Sequence, residues 1–306
     1  MSTEGGMRAV FAALLANIGI AISKFIAFAF TGSSSLLTEA IHSVADSGNQ
    51  VLLLIGNKRS KQVADVSHNF GYGRRRFIYG FIVAVVLFLV GGLFSLYEGL
   101  HKIQHPDEVK DAWIAFLVLG IAIVMEFFSF RTALHEARKA KGHRSFARFL
   151  KESRQPELPV ILLEDAGALV GLFFALCGVS LAVVTGNGVW DGVGAMAVGA
   201  LLVVIAVFLA MEMAAMLVGE AALPEEVDAI WAALEASDGV LRVIHLKTLH
   251  VGPDELLVAA KIAVAHSDTG LQIAADIDAA EAALRAAVPS ARYIFLEPDI
   301  DRGAAL

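Results

Sequence analysis

His42 and Asp46 stand four residues apart in an apolar stretch, Glu39-Ala40-Ile41-His42-Ser43-Val44-Ala45-Asp46. On a helix this spacing puts imidazole and carboxylate on one face, with Cβ atoms about 5–6 Å apart. A nitrogen and an oxygen so placed can grip one divalent ion from one side. The alternative is a His–Asp hydrogen bond that only locks helix packing. A second apolar stretch carries Leu162-Leu163-Glu164-Asp165-Ala166-Gly167, two adjacent carboxylates with no basic neighbour in the run. An ionisable group at a bilayer centre costs at least about 2.5–3.5 kcal/mol on the insertion scale, so each one is a candidate functional group. Either a cation neutralises the pair or one member holds a proton, and both outcomes suit exchange of a metal for protons. The plainer alternative places Glu164 in solvent at the helix mouth, close to Pro156 and Pro159, and buries Asp165 alone.

Other polar positions are weaker. Asp65 and His68 form a second candidate pair in the loop Asp65-Val66-Ser67-His68-Asn69-Phe70-Gly71-Tyr72-Gly73-Arg74, a composition that equally suits a solvated loop. Asn17, Lys24 and Glu126 read as interhelical hydrogen-bonding groups, with Lys24 also able to snorkel to a headgroup. Gly167, Gly171 and Gly178 read as points of close helix approach. Cys177, the one cysteine, reads as a small core residue and excludes an intramolecular disulfide or a cysteine metal cluster. No Gly-x-Ser-x-Gly, His-Glu-x-x-His or Walker-type phosphate-loop pattern is present, so the usual hydrolase and nucleotide signals are absent.

The elements that must position these groups follow from composition. Of 306 residues 57% are apolar and 18% charged, with a mean hydropathy of +0.67. Soluble domains carry about a quarter charged residues, so a soluble enzyme is excluded and an α-helical membrane protein is expected. Apolar runs near 7–30, 36–56, 77–100, 112–134, 158–184 and 190–217 each meet the roughly 20 residues needed to cross a hydrocarbon core of about 30 Å. The first run is interrupted by Asn17 and Lys24 and lacks a small-residue cleavage site, so it reads as a span and not as a removable signal. Thr31-Gly32-Ser33-Ser34-Ser35 joins the first two runs as a tight hairpin. Lys58, Arg59, Lys61, Arg74, Arg75 and Arg76 crowd the second-to-third loop, and Arg138, Lys139, Lys141, Arg144, Arg148, Lys151 and Arg154 the fourth-to-fifth. The opposite loops hold only Lys102 and Lys110, so the positive-inside bias puts both termini in the cytoplasm.

From Glu220 the pattern changes. The tail holds fifteen acidic against six basic residues, a net −9 within a chain total of −7, which leaves +2 for the first 219 residues. This acidity argues against nucleic acid as a partner. A helix at 225–236, strands at 240–251 and 256–264 around Gly252-Pro253-Asp254-Glu255, a helix at 269–287 and a strand at 292–297 predict a small α+β domain with helices on one sheet face. The expected division is a six-helix domain at 1–218 and a cytoplasmic domain at 219–306.

The run Ser34-Ser35-Leu36-Leu37-Thr38-Glu39-Ala40-Ile41-His42-Ser43-Val44-Ala45-Asp46, followed by His68-Asn69-Phe70-Gly71-Tyr72-Gly73, resembles the cation diffusion facilitator (zinc transporter) family. The resemblance extends over nearly the whole chain, including six membrane helices and a C-terminal ferredoxin-like domain. It implies a homodimer in membrane lipid that moves a divalent metal out of the cytoplasm, typically against protons. It implies no prosthetic group: zinc is the expected cargo, with manganese and ferrous iron as alternatives. The plasma (inner) membrane is the expected location. In the family two ligands four apart on the second helix match His42 and Asp46, and two more lie on the fifth. Asp165 matches the second of these, but the position four before it is Ile161. Glu164 lies about 60° around the helix from Ile161, so a long carboxylate could swing into the vacant corner, and Glu39 could add another oxygen.

Three further correspondences depend on the resemblance alone. Asp65 and His68 match a loop metal site whose further histidine is Tyr72 here. Arg74 and Glu220 match a dimer-stabilising salt bridge. His245 matches a tail metal ligand, while Lys261 replaces another, and His250 and His266 are expected at the surface. The competing reading is a non-transporting membrane metal sensor or scaffold that recruits a partner through the acidic tail.

Overall fold

The computed structural model describes residues 2–31, 34–106 and 112–300, and for residues 2–9, 27–28, 30–31 and 34–42 the backbone alone. Gly32 and Ser33 of the expected hairpin, and the side chains of Glu39 and His42, lie outside the described residues. Helices α1 (Ser2–Thr31), α2 (Ser34–Ser60), α3 (Arg75–Gln104) and α4 (Ala112–Lys141) are followed by a short α5 (Phe146–Glu152). Then come α6 (Glu157–Thr185) and α7 (Val189–Val218). Of these, α3, α4, α6 and α7 are long and apolar enough to cross a membrane. The apolar stretch of α1 is Val10–Ile26. Helix α2 is the polar one, because its polar residues turn inward: Ser43, Asn49, Gln50 and Asn57 are all buried.

Outward faces of the helices are as apolar as the inside. Phe127, Phe128, Phe173 and Met211 are exposed to the bundle's surroundings, as lipid-facing residues are. Cys177 faces outward too, which corrects its expected place in the core. An apolar run in a membrane helix carries no signal for which face is buried, since lipid and core ask for the same residues.

Close helix approach does occur at the three glycines of α6. A Cβ on Gly167 would lie 2.6 Å from Ile205 Cδ1, and one on Gly171 3.3 Å from Val198 Cγ1. One on Gly178 would lie 2.9 Å from the Trp190 carbonyl oxygen, so there α6 and α7 meet backbone to backbone. A π-helical turn at Leu87–Leu93 interrupts α3.

The starts of α3 and α6 are tied by a buried ion pair. Arg76 donates from Nε and Nη2 to the two oxygens of Glu157, both at 2.6 Å. The two side chains are 6% and 4% exposed. Glu157 sits in the first turn of α6, where the helix dipole favours a carboxylate.

The tail forms its own compact unit, which takes in residues 61–74 and begins at Ala215. It contains α8 (Pro224–Glu235), β1 (Arg242–Gly252), β2 (Glu255–Val264), α9 (Gly270–Ala287) and β3 (Ala291–Ile300). The sheet order is β1-β2-β3, antiparallel between β1 and β2 and parallel between β2 and β3. Ile230 and Leu234 of α8 and Ala280 and Leu284 of α9 share one core with Val258, Ala260, Ile262 and Ile294. This is the expected ferredoxin-like α+β arrangement, with both helices on one face. Thr269 caps α9: its hydroxyl accepts from the Gln272 N–H, while the Gln272 side chain accepts from the Thr269 N–H. His250 is 2% exposed, which corrects its expected surface position. Its N–H donates to the Glu220 carbonyl at 2.9 Å, so this stretch of β1 is covered by the chain entering the domain.

Removing one member of a buried ion pair strands the other charge, at a cost of about 3–5 kcal/mol, whereas replacing both by apolar groups costs far less. Glu157→Leu or Arg76→Met alone should therefore lower the unfolding midpoint in detergent micelles strongly, and the double replacement should recover much of the loss. Additive losses in the double variant would contradict this account of the pair.

Candidate functional site

Helices α1, α2, α4 and α6 pack against one another, α1 on α2, α4 and α6, and α4 on α6. Between them lies a cavity of about 120 Å³ whose wall includes Asp46, Glu164, Asp165, Glu126, Lys24, Ser43 and Asn17. Glu164 and Asp165 are neighbours in sequence, so their side chains leave α6 about 100° apart and meet different helices. Asp165, 2% exposed, accepts a hydrogen bond from Ser129 Oγ of α4 at 2.7 Å. Glu164, 6% exposed, turns to α2, where Asn49 Nδ2 and Gln50 Nε2 donate to its two oxygens, each at 3.0 Å. The Gln50 side-chain oxygen in turn accepts from Asn17 Nδ2 of α1 at 3.3 Å. Asp46, Asp165 and Glu126 all lie within electrostatic reach of Glu164.

Three of the expected site residues, Asp46, Glu164 and Asp165, thus share one cavity. The solvated helix mouth is not where Glu164 sits. Ile161, expected to vacate a ligand corner, is fully buried in the apolar core and is not among the residues lining the cavity. Among the described residues no three His, Cys, Asp or Glu groups stand close enough to hold one ion. Sequence reasoning passed over Asn49, Gln50 and Ser129, and assigned Glu126 and Lys24 to packing. A helical signal was available for the first two: they lie three and four residues after Asp46, on the same face of α2.

The outlying candidates have protein partners. Tyr72 Oη donates to Asp65 Oδ2 at 2.6 Å, and the N–H groups of Ser67 and His68 donate to Oδ1 at 2.9 and 2.8 Å. The Tyr72 hydroxyl first, then the His68 N–H, hold the Asp65 carboxyl below its ordinary pKa. The His68 ring rests against Tyr72, with centroids 4.2 Å apart. In the sheet His245 lies opposite Lys261, whose ammonium bonds Glu297 and Asp299, each at 3.1 Å. Those two carboxylates, Glu297 first, raise the lysine's pKa. His245 also lines a surface groove with Glu281 and Glu297. Near the other expected pair, a Cβ on Gly219 would lie 3.6 Å from Arg74 Nη2, so the guanidinium reaches the residue next to Glu220.

Residues 10–218 match the cation efflux transmembrane domain. The chain is 35% identical over 263 residues to the mouse protein described as "Proton-coupled zinc antiporter SLC30A9, mitochondrial", covering 85% of this chain and 46% of that one. The human counterpart is 34% identical with the same coverage. Metal tolerance protein C4 of Arabidopsis thaliana is 26% identical, covering 86% and 58%. The chain thus spans about half the length of the curated relatives it matches. Among solved structures, a nickel form of the MamM C-terminal domain aligns with 26% of this chain and 100% of that one, at 22% identity and a TM-score of 0.25. With the cation efflux domain covering more than half of its residues, this multi-pass membrane protein belongs to the cation efflux, or cation diffusion facilitator, family.

Proposed function

We propose that this protein exports a divalent transition-metal ion, zinc foremost, in exchange for protons, by alternating access to the cavity between α1, α2, α4 and α6. The observation that carries the reading is the meeting of Asp46 from α2 and Asp165 from α6 on one small intramembrane cavity, with Glu164 and Glu126 beside them. Such carboxylates have only two ways to shed their charge, a cation or protons, and the two compete for the same oxygens. Asp46, Asp165 and His42 hold the ion when the cavity faces the cytoplasm; protons displace it when the cavity faces out.

Glu164 joins the ligand set by releasing one of its two amide donors, Asn49 or Gln50, as the helices close around the ion. Zinc leads because curated relatives are described as proton-coupled zinc antiporters. An oxygen-rich ligand set keeps manganese and ferrous iron as competitors. Glu39 is an auxiliary metal contact in this reading; Asp65, His68 and His245 are weaker ones, since a metal there must displace the Tyr72 hydrogen bond on Asp65 or meet the Lys261 ammonium opposite His245. The working form is a homodimer with both termini in the cytoplasm, in the plasma (inner) membrane. A metal sensor without transport is the second reading, and it predicts binding without flux.

The test is a panel of Zn²⁺, Mn²⁺ and Fe²⁺ in proteoliposomes carrying an internal pH dye. Flux of metal with opposite proton movement is the expected result. Metal binding with no flux would favour the sensor. Asp46→Asn and Asp165→Asn should each reduce uptake at least about a hundredfold, the effect of deleting a charged ligand worth roughly 3 kcal/mol or more, with the protein still folded. Near wild-type uptake by a folded Asp165→Asn would remove that residue from the site.

A further expected outcome concerns Arg74 and Glu220, proposed to pair near the membrane surface and to hold the dimer in register. Reversing either charge should weaken cross-linking between protomers, and reversing both should restore it in part. A double reversal no better than the single ones would count against the pairing.

A further inference from the structure

A lysine lies on the wall of the cavity. Lys24 of α1 is 7% exposed, and its Nζ donates to Ser43 Oγ of α2 at 3.0 Å. A snorkelling lysine would carry its ammonium to a headgroup; this one stays inside, facing Asp46, Glu126, Glu164 and Asp165 across the same space. Its charge lies within electrostatic reach of Glu126, as do those of Asp46 and Asp165. A buried ammonium persists only when paired and hydrogen-bonded, and here the anions that would pair with it are those a metal would need.

We propose that Lys24 is a tethered counter-cation of the transport cavity, which competes with the incoming divalent ion for the same carboxylates and has the Ser43 hydroxyl as its anchor on the cavity wall. The proposal builds on the exporter reading above and adds a residue to it. Without metal, one fixed positive charge offsets one of the four carboxylates, so the empty cavity needs one proton fewer to cross the membrane. With metal, ammonium and ion repel each other, and the Ser43 hydroxyl supplies an acceptor away from the ion. The repulsion keeps the ion from binding too tightly to leave. Lys24 is then a specificity and release device, and not merely a packing group.

The competition has a signature that packing lacks. Lys24→Met keeps the stem and removes the charge, so the KM for Zn²⁺ should fall by at least about tenfold, since a unit charge within about 10 Å of a divalent ion repels it by more than that factor at an effective dielectric constant of about 20. Turnover should fall with it, because release slows. Lys24→Arg keeps the charge and should stay near the wild-type KM. Ser43→Ala removes that anchor and should raise KM, and in the Lys24→Met background it should have no further effect.

These arms are measured as Zn²⁺ flux in proteoliposomes and as equilibrium Zn²⁺ binding to the detergent-solubilised full chain. An unchanged KM in Lys24→Met, or equal losses in Lys24→Met and Lys24→Arg with both proteins folded, would overturn the proposal. A wild-type protein that binds Zn²⁺ but moves none would defeat the exporter reading. In that case tighter binding by Lys24→Met would still uphold the competition, and unchanged binding would end it.

Discussion

Carboxylates placed among membrane helices must find compensation inside the protein, because hydrocarbon offers neither ions nor hydrogen bonds. Much of the first unit can be understood from that constraint. Asp165 takes a hydroxyl from α4, Glu164 takes two amides from α2, and Gln50 is itself held by Asn17 of α1. Each of these contacts joins two helices, so the compensation of charge and the packing of the bundle are one set of bonds. The glycines of α6 complete the arrangement on its other side by letting α7 approach closely. The Arg76–Glu157 pair fixes where α3 and α6 begin.

The adjacent pair Glu164-Asp165 gains from helical geometry what two separated residues would gain from spacing. Neighbours on a helix diverge by about 100°, so one α6 position serves α2 and the next serves α4. Glu164 therefore meets a layer of amides, and Asp165 a hydroxyl. Neutral donors such as these satisfy a carboxylate without contributing a charge of their own.

How much of this was legible in the sequence depended on which physical signal each residue carried. The helix runs, the basic loops and the α-β-β-α-β tail were readable because length, charge and periodicity encode them directly. Asp46, Glu164 and Asp165 stood out because a carboxylate in an apolar run is costly wherever it points. Lys24 and Glu126 carry the same cost, but a single polar residue does not reveal which helix it faces, so packing explains each of them equally well from sequence. Asn49 and Gln50 carry a fainter signal because uncharged amides cost less in a helix, although their i+3 and i+4 spacing from Asp46 places them on its face. Cys177 and His250 were misplaced for opposite reasons. Lipid accepts the same small residues as a membrane core, and a histidine in a strand carries no mark of the segment that covers it.

The cavity and the outlying candidate positions differ in how their polar groups are bonded. In the loop, Asp65 accepts three hydrogen bonds, one from the Tyr72 hydroxyl, and a metal would have to displace at least part of that set. On the sheet, Lys261 binds the two nearest carboxylates of β3 and places a positive charge opposite His245. Both positions have exchanged an open ligand for an internal bond that stabilises the fold whether or not metal is present. In the membrane Asp46 and Glu126 line the cavity, and the hydrogen bonds that Glu164 and Asp165 accept from Asn49, Gln50 and Ser129 come from neutral donors that do not cancel their charge. The second unit can therefore hold its shape without an ion, whereas in the proposed cycle the cavity carboxylates take either a cation or protons, and that alternation would couple the two.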